Sequence, residues 1–113
     1  MRIVKNKWLP LKGFTAINLF GVVFTRKEQL STKTIRHEYI HTAQMRELVY
    51  VFFYVWYLIE FVIRLIQYRN YKEAYRNISF EREAYKYDEE PGYTMWRKRY
   101  AFLNLKKKEK WEV

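Results

Sequence analysis

The chain has 113 residues, half of them apolar and a fifth aromatic, enough for one domain with a modest core. It contains no cysteine, which excludes disulfides, thiolate metal ligands and a cysteine nucleophile, so any metal must be held by His, Asp or Glu. The 22 Lys and Arg against 12 Asp and Glu give +10, a charge suited to an anionic membrane surface; nucleic acid is not the expected partner, since no reading motif accompanies the charge.

Met1 to Gly13 lack the continuous apolar stretch of a secretory leader, so the expected location is the cytoplasm or a membrane surface. Residues 14–25, FTAINLFGVVFT, are rich in β-branched and aromatic types and predict a strand, or a hairpin bent near Gly21. Residues 26–31 are a polar connection ending at Ser31 or Thr32, either of which suits a helix N-cap. From there to Tyr68 no Gly or Pro intervenes, and one long helix is expected over 32–68.

Two features sit on that helix. The first is His37-Glu38-Tyr39-Ile40-His41, an HExxH motif holding the only two histidines of the chain. The second is the run 48–66, nearly long enough to cross a bilayer and carrying Glu60 and Arg64 at i,i+4 spacing; it is expected to touch lipid with its outer side, the alternative being a true membrane span. At about 100° per residue, His37, His41 and Gln44 share a face that Leu48, Val51, Phe52, Val55, Ile59, Val62 and Ile66 continue. Glu47, Tyr50, Tyr54, Tyr57, Glu60, Arg64 and Gln67 fall broadly on the other side.

Residues 69–77 read as a linker or the start of a further helix, and 78–90 as a helix with Ser79 as its N-cap. Pro91-Gly92 is a turn, and a last helix over 93–105 runs into the basic tail KKKEK. The expected fold is therefore α+β and mostly α: an N-terminal strand or hairpin packed on the long motif helix, then two shorter helices, all in one domain of residues 1–113.

The motif carries a definite chemistry. Residues four apart lie on one helix face, so His37 and His41 can grip one zinc ion from successive turns, and Glu38 can reach a zinc-bound water as general base. A catalytic zinc takes three protein ligands. With no other His and no Cys the third must be a carboxylate, and Glu81 or Glu83 in FEREAY is the candidate. Asp88, Glu89 and Glu90 lie in a loop-like run expected to be solvated. Tyr85, Asn77 or a carbonyl could accept the second N–H of an imidazole ligand.

HEYIHTAQ followed by FEREAY resembles the gluzincin metallopeptidases, in which HExxH is completed by a Glu on a later helix. The resemblance spans about residues 14–90 and also extends to small bacterial HExxH proteins. In gluzincins the second motif runs Glu-x-x-Ala followed by Asp or Asn. On this chain that selects Glu81, with Ala84 third after it and Tyr85 where the acidic or amide residue would stand. The resemblance implies a minimal zincin-like domain that binds Zn2+ and hydrolyses peptide or protein substrates. It also implies that Ala16 to Phe24 form an edge strand pairing with an extended peptide. Two other expectations stand beside it: a non-catalytic structural zinc domain, and a membrane-associated binding protein anchored through the Tyr- and Trp-rich run around 48–68.

Overall fold

The computed structural model describes residues 2–9 and 14–104 and shows an α+β fold, mostly α. The segment 14–25 is a hairpin: β2 (Ala16–Leu19) runs antiparallel to β3 (Val22–Thr25), with Leu19 opposite Val22. Phe20 and Gly21 form its two-residue loop, both at positive φ, as the tightest hairpin turns require. Phe20 tolerates this conformation because its amide donates to the Tyr54 hydroxyl and its ring packs on Tyr50 and Tyr54. β1 (Arg2–Lys5) adds in parallel to the other side of β3, giving the order β1-β3-β2. This strand was not anticipated; RIVK is four residues bounded by charges, too short for a periodic signal. β2 is thereby left as an edge strand.

The helix expected over 32–68 is two helices. α1 (Thr32–Glu47) starts at Ser31, whose hydroxyl accepts from the Thr34 amide. It ends at Leu48 in a Schellman closure: the Tyr50 amide bonds the Met45 carbonyl and the Val49 amide the Arg46 carbonyl. Val49 and Tyr50 both adopt positive φ, 55° and 58°. Such a closure normally recruits glycine, and its absence is why the sequence reads as unbroken helix.

α2 (Val51–Tyr68) sets off in a new phase. The face expected to continue from the histidines is outside: Val51, Phe52, Val55, Ile59, Val62 and Ile66 are exposed. Phe53 and Glu60 are buried instead, with Tyr54, Tyr57 and Phe61 packed on the core. Three residues of non-helical backbone reset the rotation by which faces are counted. Glu60 and Arg64 do pair, at 3.0 Å, on the inner side.

A left-handed Arg69 ends α2, and Asn70 caps α3 (Tyr71–Arg76) by accepting from the Lys72 and Glu73 amides. In α4 (Ser79–Tyr87) the cap position belongs to Ile78, not Ser79. Ser79 donates its amide and its hydroxyl to Glu60 Oε2, so a carboxylate from α2 satisfies the helix start. After the turn at Gly92, the last helix is shorter than expected: α5 covers Tyr93–Trp96, and a 3-10 turn covers Ala101–Asn104. The chain becomes extended at Arg97, whose guanidinium binds Glu83 and Glu47. The basic tail expected after residue 104 lies outside the described residues. Met45, Phe53, Ile78, Phe80 and Phe102 form the main core, and Ile40, Ala84 and Tyr93 a second cluster between α1 and α4.

Candidate metal centre

His37 and His41 project from successive turns of α1 toward α4, where Glu81 lies in the first turn. His37 Nε2 and His41 Nε2 are 3.1 Å apart, and Glu81 Oε1 is 3.0 and 3.1 Å from them. All three residues are buried, and together they form a group able to hold a metal ion.

The surrounding hydrogen bonds decide which ring nitrogens face inward. Gln44 Nε2 donates to the Phe80 carbonyl and to Glu83 Oε1, so Gln44 Oε1 is left to accept from His41 Nδ1 at 2.8 Å. Asp88 Oδ2 stands 3.5 Å from His37 Nδ1. With the Nδ1 hydrogens so directed, both Nε2 lone pairs and a carboxylate lone pair meet at one point. Three acceptors in contact repel unless a cation or a proton lies among them. The Tyr57 hydroxyl donates to Glu81 Oε2 at 2.7 Å, which turns Oε1 toward the imidazoles.

The electrostatics agree. Burial opposes a charged His37, but hydrogen bonds with Asp88 and Glu81 and the Glu81 charge outweigh it and push its pKa up to about 9. His41 is also raised: burial opposes its charge, and the Glu81 carboxylate overrides that. Burial acts to raise Glu81, but the His41 charge and hydrogen bonds from both imidazoles hold it well below the usual carboxylate range. Glu38 differs: burial raises it, and the two histidines recover only part. It lies against the Asn18 amide, which also donates to the Glu38 carbonyl and the Thr42 hydroxyl, tying β2 to α1.

Glu38 sits where two cavities meet. One, of about 360 Å³, is lined by His37, Glu38, Lys72, Tyr75 and Asp88 among others. The other, of about 430 Å³, is largely apolar and holds Glu38, His41 and Glu81 beside Phe53, Tyr57 and Phe61. Ala16 lines both. The Asn18 carbonyl accepts from Tyr54, and the Thr15 carbonyl from Thr25 on β3. Strand alternation then turns the backbone groups of Ala16 toward the open edge.

The structure thus brings His37, His41, Glu38 and Glu81 together and keeps Glu83 apart. Glu83 is fully buried and accepts from Gln44, Tyr93 and Arg97. Asp88, expected to be solvated, is buried, while Glu89 and Glu90 are exposed. The spacing from Glu81 to Asp88 is seven residues, two helical turns, which places both on the side of α4 that faces α1. Tyr85 packs its ring edgewise on His37, with centroids 4.5 Å apart, and is no acceptor for it; Asn77 serves Arg82 instead. Tyr57 carried no signal in the sequence, since the break at 48–50 decides which tyrosines of α2 face inward; Tyr75 lies on α3, in the run 69–77 that reads only as a linker or the start of a further helix. No family model, no curated protein and no solved structure matches this chain.

Proposed function

We propose that this chain is a zinc-dependent metallopeptidase of gluzincin type, with His37, His41 and Glu81 as metal ligands and Glu38 as general base. The observation that carries the reading is the buried triangle of two imidazole nitrogens and one carboxylate oxygen at 3.0–3.1 Å, with Glu38 at the edge of a cleft beside it. A tetrahedral zinc with bonds of about 2.0–2.1 Å keeps its donor atoms about 3.3 Å apart, so small side-chain rotations adapt the triangle. Two His and one Glu are a catalytic donor set that leaves one position open.

Zinc held there would supply Lewis acidity to a water nucleophile and to the scissile carbonyl. Glu38 takes the proton of the attacking water and delivers it to the departing amine. Tyr75 lines both cavities, and burial keeps its phenol protonated far above the ordinary range. Its hydroxyl lies 3.4 Å from that of Tyr85, and as a rotatable donor it can turn its hydrogen toward a developing oxyanion. The open edge of β2 at Ala16 supports an extended peptide lying along the cleft.

The near-complete burial of the three ligands favours one second reading, a structural zinc domain without turnover. One experiment separates them: metal content and cleavage of a quenched-fluorophore peptide library, for wild type, Glu38→Gln and Glu81→Ala. The peptidase reading expects one zinc per chain in wild type and Glu38→Gln, cleavage in wild type alone, and lost metal in Glu81→Ala. Bound zinc with no cleavage by wild type would favour the structural domain, and cleavage by Glu38→Gln at the wild-type rate would remove Glu38 from the mechanism.

A further inference from the structure

α2 wears its polarity inside out. At about 100° per residue, an arc from Leu65 through Val62, Val55 and Ile59 to Ile63 covers roughly 160° of the helix and contains no polar side chain. This arc is open to solvent: Phe52, Leu58 and Ile66 are 64, 63 and 71% exposed. The charges of the helix lie on the opposite flank. Glu60 is buried there, paired with Arg64 and bonded to Trp56 and Ser79. A helix on a water-facing surface shows the reverse distribution, with charges outward. Ionisable groups turned inward and paired, beneath an aliphatic exterior, are the pattern of a helix in contact with lipid.

Length and charge point the same way. Val51–Tyr68 is long and apolar enough for a membrane, about 27 Å at the helical rise. Exposed Arg46 precedes it, and exposed Arg69 and Lys72 follow, in a chain of net charge +10. A second copy laid on the same face would bring these like charges together, whereas anionic headgroups complement them. The helix cannot cross the bilayer alone. Tyr54 bonds β2, Tyr57 bonds Glu81 and Glu60 bonds Ser79, so successive turns are fastened along the globule. Crossing would drag the polar sheet and α4 into hydrocarbon.

We infer that the outer face of α2 docks this chain on an anionic phospholipid surface, the helix lying in the plane of the headgroups. Tyr54 and Phe61, which wall the apolar cavity, occupy the flank next to Leu58 and Leu65. Docking therefore sets the mouth of that cavity beside the lipid. The inference does not depend on hydrolysis, and Glu38→Gln is expected to bind vesicles as the wild type does.

The test is co-sedimentation of the full chain with phosphatidylcholine vesicles, with and without phosphatidylglycerol. Wild type is expected to pellet, more strongly when phosphatidylglycerol is present and less at high salt. Val55→Glu/Val62→Glu, and the uncharged Val55→Ser/Ile59→Ser/Val62→Ser, are expected to bind about tenfold or more weakly while keeping the wild-type circular dichroism, because these side chains are about half exposed and belong to neither core cluster. Wild type that stays in the supernatant with both vesicle types overturns the proposal, as does the serine variant pelleting like wild type. Equal binding to both vesicle types overturns it as well. A discrete dimer that ignores vesicles, and that the serine variant converts to monomer, gives the face to a second copy and equally overturns it.

Discussion

Tyr57→Phe removes one oxygen and leaves the rest of the side chain in place. The ring stays packed on Phe53 and stacked on Phe80, at centroid distances of 5.7 and 6.2 Å, so the core keeps its volume. What is lost is the 2.7 Å hydrogen bond to Glu81 Oε2. That oxygen belongs to a buried carboxylate, so no water readily replaces the phenol. A hydrogen bond to a charged group contributes about 1.5–3 kcal/mol, and the freed carboxylate can rotate Oε1 away from the imidazoles. At about 1.4 kcal/mol per tenfold, zinc affinity should fall roughly 10- to 100-fold, in the range typical for partners that orient metal ligands. The assay is competition for zinc against a chromophoric chelator, at a pH where both proteins are folded, with urea unfolding alongside. Zinc affinity within about twofold of wild type, with stability reduced, would show that Tyr57 only packs, and would refute the claim that it aims Glu81.

Four further tests address the histidines and the helix break. Asp88→Asn removes the charge facing His37 Nδ1, so the His37 pKa in chelator-treated protein should drop from about 9 toward 6.5, and zinc affinity should weaken about tenfold; NMR titration of the imidazole checks the first and chelator competition the second. Because that pKa is raised on folding, the associated stability is complete below about 6.5 and is lost as pH rises through about 9. Chelator-treated protein should therefore unfold at lower urea at pH 9.5 than at pH 6, by on the order of 3 kcal/mol shared with Glu81 and His41, and a flat profile would count against the coupling. Zinc affinity should move oppositely, strengthening with pH as His37 gives up its proton. Val49→Gly should raise stability by about 1 kcal/mol in thermal or urea unfolding, because a β-branched residue stands at φ 55° with a largely exposed side chain; unchanged or lower stability would mean the turn is not strained.

Local chemistry alone determined much of this protein. The Ser31 cap, the HExxH helix, the hairpin turning near Gly21 and a later helix presenting Glu81 all follow from periodicity and capping within a few residues. Spacing by four was enough to put His37 and His41 on one face, and seven-residue spacing held an unread clue to Asp88. The tertiary structure decided the rest. Nothing near residues 48–50 asks for a break, since the Schellman closure there uses Val49 and Tyr50 in place of glycine. Contacts far along the chain support it: Tyr54 with β2, Phe53 with Phe80 and Tyr57 with Glu81 all require α2 to restart in a new phase. That restart selects which side of α2 walls the cleft and which stays apolar and exposed. Glu83 was likewise separated from Glu81 only by its distant partners Arg97 and Tyr93, because two carboxylates two residues apart on one helix differ in direction, and direction acquires meaning only when a neighbour is packed against it.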